Sequence, residues 1–219
     1  MIGFLKKIFG SKKKEEGFTQ EEFEKSYNLK ISGLEAVLGK SHDMVGHAII
    51  PFFAGGTVDM YYFPNSIKGT GFATMEFIQP DGKGPVPNRL GTYELVAFTK
   101  DDYVQQGEEV APFNKLERRV CGIFTGIGLY SFQVKLEPLE TCELPQEEGQ
   151  PKICLIFDEY RPDNKDFYIG DRKHGLLLVM EIHKEEMKYA MENGGENLIN
   201  KLKEKGFYPY SDMGRDSVV

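Results

Sequence analysis

Two carboxylates and a histidine are the residues of this chain whose setting could support catalysis. His183 is followed by Glu185 and Glu186, a grouping that suits acid–base work or metal binding. Asp59 and Glu94 sit in apolar segments that alternate as strands do. A register that placed them face to face would make a carboxylate pair with one raised pKa. A hydrolase would use these three. Each also has a reading without chemistry: His183 caps a helix whose first turn carries the two glutamates against the dipole, while Asp59 and Glu94 line the wetter face of a sheet. Asp158, Glu159 and Arg161, at a strand end, read as a surface ion pair.

No activated nucleophile accompanies them. The chain has no Gly-x-Ser-x-Gly elbow and no His-Glu-x-x-His string. Cys121, Cys142 and Cys154 are odd in number and lack C-x-x-C spacing, which fits reduced thiols in a cytoplasmic protein and neither a disulfide framework nor a zinc ribbon. His42 and His47 have no partners at metal spacing and read as loop or core histidines. Gly126-Ile127-Gly128 does not open a helix after a strand, so it forms no dinucleotide fingerprint. Catalytic, cofactor-binding and metal residues are therefore expected to be none.

The 219 residues suffice for one well-filled core. Sixteen Phe and eleven Tyr without Trp suit a sheet-rich interior. A net charge of -7 argues against nucleic acid as partner, since phosphate contacts need a concentrated basic face. The basic cluster is at the start, where Ile2, Leu5, Ile8 and Phe9 share a helical face flanked by lysines through Lys14. Residues 1–17 are expected to be a basic amphipathic leader, either loose or in weak contact with an anionic membrane surface. It is too short and too charged for a signal-peptide core, and no apolar run reaches the roughly 20 residues of a spanning helix.

The elements that must position Asp59 and Glu94 form the centre of the chain. Thr57 to Phe63, Phe72 to Ile78 and Thr92 to Phe98 alternate at a period of two and are parted by Pro64-Asn65-Ser66 and by the Pro80–Pro87 turn segment, predicting a three-stranded meander with one covered and one wetter face. Gly46 to Phe53 adds an edge strand.

Ahead of it, Thr19 and Glu22 have capping-box spacing and Phe18 and Phe23 staple spacing. Ser32 and Glu35 repeat the device, and Gly39 ends a helical layer over 19–39. Downstream, Leu116, Val120, Ile123, Phe124 and Ile127 predict a helix capped by Asn114, with a strand over 120–134 as the competing reading and Gly122, Gly126 and Gly128 allowing close approach to the sheet. Leu136 to Leu144 and Ile153 to Tyr160 are strands around an acidic loop at 145–151. Arg161 to Lys173 is a long polar connection, either loosely ordered or used for binding. Gly175 to Ile182, apolar on both faces, is a central strand. Two helices follow, one lined by Met187, Ala190 and Met191, the other recapped at Asn193 and Glu196, lined by Leu198, Ile199 and Leu202 and ended by Gly206. The expected fold class is α+β, a mostly antiparallel mixed sheet covered by N-terminal and C-terminal helices, with one domain over 18–206 and a free tail over 207–219.

Val58-Asp59-Met60-Tyr61-Tyr62-Phe63-Pro64, Tyr93-Glu94-Leu95-Val96, and Leu177 to Glu186 with the two-helix tail to Leu202 together resemble the Suppressor of Fused-like domain, above all its short bacterial members. The resemblance covers most of residues 40–205. The chain departs from the family pattern at Ala73-Thr74-Met75-Glu76-Phe77 and at Glu181. The resemblance implies a non-enzymatic domain that binds a protein partner: an extended peptide added to a sheet edge, or, for bacterial members, a polymorphic toxin countered by an immunity protein. A basic toxin domain would suit the charge of -7.

Overall fold

The structure, a computed structural model, describes residues 18–104, 111–146 and 149–219. The leader over 1–17, with its proposed membrane contact, and Glu147 and Glu148 of the acidic loop lie outside them. The described residues form four α-helices and an eight-stranded mixed sheet, the α+β architecture expected.

Helix α1 (Gln20–Leu38) begins at the Thr19–Glu22 capping box, with the Phe18 and Phe23 rings edge-on at 5.6 Å, and ends at Gly39. It is continuous through Ser32 and Glu35, so no second start exists there. The Ser32 hydroxyl donates to Asn28 O at 2.8 Å within the helix, and Glu35 instead accepts from Ser41 and Lys40 beyond its end.

The three-stranded meander is present, its first two strands shorter than expected; β1 (Val45–Gly46), β2 (Met60–Phe63), β3 (Thr70–Ala73) and β4 (Tyr93–Thr99) pair antiparallel in sequence order. The edge strand expected over 46–53 shrinks to two residues, because Pro51 turns the chain into a single 3-10 turn at Phe52–Ala54.

Helix α2 (Pro112–Ser131) decides the helix-or-strand ambiguity in favour of helix. Its cap is Ala111 with Pro112 in the first turn, and Asn114 lies inside it, donating its N–H to Ala111 O. Strand β5 (Thr141–Leu144) is shorter than predicted and pairs with β6 (Ile153–Glu159). The polar connection 161–173 is ordered: a short turn at Pro162–Asn164, then β7 (Phe167–Ile169) in a hairpin with β8 (Arg172–Ile182). Helices α3 (Lys184–Asn193) and α4 (Gly195–Glu204) follow, the latter capped by Gly194 rather than Asn193.

The sheet runs β1-β2-β3-β4-β8-β6-β5, with β7 pairing the start of β8. Strand β8 is central, parallel to β4 and antiparallel to β6. Both faces are covered, so the wetter face expected for the meander does not exist. Tyr61, Phe63, Val96, Phe98, Leu178 and Met180 pack under α1, α3 and α4, while Met60, Tyr62, Leu95, Leu177 and Val179 pack under α2. Alternation along each strand is intact; apolar residues fill both sides because helices cover both.

Gly33 lets α1 rest on β7, since a Cβ there would lie 1.9 Å from Tyr168 O. Gly128 likewise seats α2 on the Phe77 and Phe52 rings. Of the stripe assigned to α3, Ala190 is buried and Met187 packs on the core, but Met191 is 72% exposed.

Candidate functional site

Asp59, just ahead of β2, and Glu94, on β4, do not face each other, because β3 and the loop that follows it lie between them. Glu94, on β4, points under α1 and is fully buried. Its carboxylate accepts from the Thr74 hydroxyl at 2.7 Å, Phe77 N–H at 3.3 Å and Ile78 N–H at 3.0 Å, and lies 3.1 Å from the Lys30 ammonium. Lys30, on α1 and equally buried, also donates to Ile78 O at 2.7 Å and to Met75 O. One ion pair thus pins α1, β4 and the loop over 74–79. A buried charge pair with every hydrogen-bonding position used is a structural lock, and no open position is left for a substrate.

The segment over 74–79 is a loop and not the continuation of a strand to Ile78. Strand β3 stops at Ala73, and Thr74 turns its hydroxyl to Leu95 N–H at 2.9 Å, so Glu76 is not a strand residue but lies between Asp59 and Glu94. Its Oε1 accepts from Asp59 N–H at 3.2 Å, while Oε2 is buried without a hydrogen-bond partner. Burial, reinforced by the nearby Asp59 carboxylate, pushes the Glu76 carboxyl up to about 8. The raised carboxyl foreseen for an Asp59–Glu94 pair therefore exists at a third residue. The available signal was a lone glutamate inside the apolar run Phe72 to Ile78. Asp59 itself accepts from Ala48 N–H at 2.8 Å and pairs with His47 at 2.8 Å, which gives that histidine its partner.

His183 is the N-cap of α3, in a capping box whose Glu186 side chain accepts from His183 N–H at 2.9 Å. The ring is held by Arg215 O at 2.9 Å. Glu186 is fully buried and takes Arg215 as a two-pronged partner at 2.5 and 2.7 Å, with Val218 N–H at 3.0 Å. Burial alone would raise the Glu186 carboxyl; the Arg215 guanidinium and the backbone donors bring it below the ordinary value. The expected free tail is therefore docked. Ser211 N–H donates to Phe98 O, and the Ser211 hydroxyl accepts from Glu181 N–H, laying the segment where β4 and β8 part.

Asp158 accepts from Tyr208 at 3.0 Å, and Arg161 pairs with Asp166 at 2.7 Å, so the ion pair imagined among Asp158, Glu159 and Arg161 is not formed. The three cysteines are free, and burial raises each thiol above its usual value, the opposite of nucleophile activation. Among the described residues no group of three or more His, Cys, Asp or Glu is arranged to hold a metal ion, and no helix is long and apolar enough to cross a membrane.

Outward, the molecule shows an apolar surface that periodicity could not mark. Ile49 is 99% exposed, Ile50 55% and Phe53 61%, and the Phe53 ring meets Phe132 at 5.5 Å, just beyond α2. Leu129 and Tyr130 at the end of α2 are exposed as well, at 51% and 41%. At the far side of the sheet β5 is the outer strand, and ladder alternation turns the backbones of Thr141 and Glu143 away from β6.

A helix-covered mixed sheet with sealed interior ion pairs and an apolar outer surface defines the class of this protein. Among solved structures, the fold is similar to that of a chain in the crystal structure of the Sufu–Fu complex, with a TM-score of 0.58 at 13% identity over 88% of this chain and 92% of that one. At that identity the likeness is one of fold. No family model and no curated protein matches the chain.

Proposed function

We propose that the protein is a non-catalytic binding domain that holds a protein partner, and in its finer form an immunity protein that neutralises a polymorphic toxin or an adaptor that sequesters its target. The observation that carries this reading is the exposed apolar surface of Ile49, Ile50 and Phe53 beside the end of α2; contiguous exposed apolar groups of this kind mark partner sites. The β5 edge offers an extended peptide a place in the sheet. Support also comes from the fold, which a chain of the Sufu–Fu complex shares. The net charge of -7 favours a cationic partner through steering. Against an enzyme using Asp59, Glu94 or His183 stands the way each is tied up by neighbouring groups.

The test is affinity capture by the wild-type chain and by an Ile49→Asp/Phe53→Asp variant, at low and at high salt. A partner held by the wild type and lost by the variant, with unchanged thermal stability, supports the proposal. Equal capture by both, or none by either, refutes it. For the immunity reading the captured protein must be toxic to cells and harmless when the wild-type chain is co-expressed.

A further inference from the structure

The polar connection 161–173 walls a cleft of about 400 Å3. The cleft lies at the amino ends of the parallel pair β4 and β8, between the segment entering β4, the end of β6 and the turn that leads to β7. On a molecule of net charge -7, its wall carries four cations, Arg89, Arg161, Lys165 and Lys173, against two carboxylates, Glu159 and Asp166.

The cations divide into two kinds. Arg161 and Lys173 share one oxygen of Asp166, at 2.7 and 2.8 Å. Arg89 and Lys165 have no carboxylate within 4.0 Å among the described residues. Glu137 accepts from the backbone N–H of Arg89 and feels its charge weakly, but its ion pair is with Lys135, at 2.5 Å. The turn bearing Lys165 holds Asp163 and Asn164 at φ of 51° and 57°, a left-handed conformation that non-glycine residues adopt at a cost. Between the cations the wall holds Leu90 and the largely buried Tyr160, Phe167 and Leu176, with the His174 imidazole beside them.

We propose that this cleft binds a small organic dianion, a phosphate ester or a dicarboxylate with a ring-sized apolar body, Arg89 and Lys165 taking its charged end. Two cations outside any ion pair among the described residues match two negative charges, and the volume is that of a small-molecule site. The site is separate from the apolar surface assigned to a protein partner, so either proposal can fail alone.

The experiment is calorimetric titration of the full chain with phenyl phosphate, phthalate, inorganic phosphate and neutral benzamide. Saturable binding of phenyl phosphate or phthalate is expected; whichever is tighter identifies the head group. Inorganic phosphate should bind at least about tenfold more weakly and benzamide not at all. Affinity should fall severalfold between about 50 and 300 mM salt. It should drop roughly tenfold for each of Arg89→Gln and Lys165→Gln, both exposed residues whose replacement should leave the melting temperature in place. The proposal is overturned if neither organic anion binds at about 5 mM, if the double variant binds as well as the wild type, or if benzamide or inorganic phosphate matches phenyl phosphate.

Discussion

Replacing Lys30 with Met would remove the charge that offsets Glu94 while keeping an apolar side chain of similar length. In the wild type the ammonium serves Glu94, Ile78 O and Met75 O at once, with 5% of its side chain exposed and none of that of Glu94. The variant leaves a buried carboxylate with three neutral donors, from Thr74, Phe77 and Ile78, and no counter-ion. It also leaves two carbonyls without their donor. Breaking a buried pair from one side costs about 3–5 kcal/mol. Urea unfolding should therefore show the midpoint falling by about 1.6 M, taking roughly 4 kcal/mol over a slope near 2.5 kcal/mol per M. Adding Glu94→Gln should restore about half, because the isosteric amide carries no bare charge and can donate to a freed carbonyl. Amide exchange at Phe77 and Ile78 should quicken in the single variant. A loss under about 1 kcal/mol, or a double variant no more stable than the single one, would show that Lys30 and Glu94 are not the lock described.

Glu76 should make stability depend on pH. Its folded carboxyl titrates near 8, above the unfolded value of about 4.3, so its contribution is fully present below the unfolded pKa and is lost as pH rises through 8. Glu76→Gln should flatten that decline, gaining on the wild type by up to about 1.4 kcal/mol per pH unit across the window; parallel curves between pH 5 and 8 would contradict it. Two glycines of α2 should respond in opposite directions in a thermal melt. Gly128→Ala places a Cβ 2.5 Å from Phe77 Cζ and should lower the melting temperature by about 3–6 °C, whereas Gly122→Ala meets nothing within 4 Å and should raise it by about 2–4 °C.

What the sequence revealed depended on how local the determining interactions are. The start of α1 was legible because its capping box closes within four residues, and the three meander strands because their alternation is carried by the chain itself. The covering of both sheet faces was not, since the helix on one face is α2 and its docking depends on contacts far along the chain, as at Gly128 with Phe77. Asp59 and Glu94 stand out in the sequence, but the middle strand of the meander parts them, and what lies in the gap depends on where β3 ends. Thr74 breaks it by satisfying Leu95 and Glu94 with one hydroxyl. The tail could not be read as docked, because Arg215 finds Glu186 from 29 residues away. The segment Gly46 to Phe53 reads as a strand because apolar residues that face solvent, such as Ile49, Ile50 and Phe53, share a composition with those of a sheet.

The pairing of β4 with β8 sets a timetable for synthesis. Tyr93 is matched to Gly175, so 82 residues must be made after Tyr93 before the meander's inner strand meets its neighbour. At ribosomal rates of about 5–20 residues per second, that is a wait of roughly 4–16 s. Throughout it the nascent chain carries an apolar edge ready to pair with any passing strand. Slowed translation between Lys100 and Arg172 should lower the soluble yield, and a chaperone that shelters that edge should restore it.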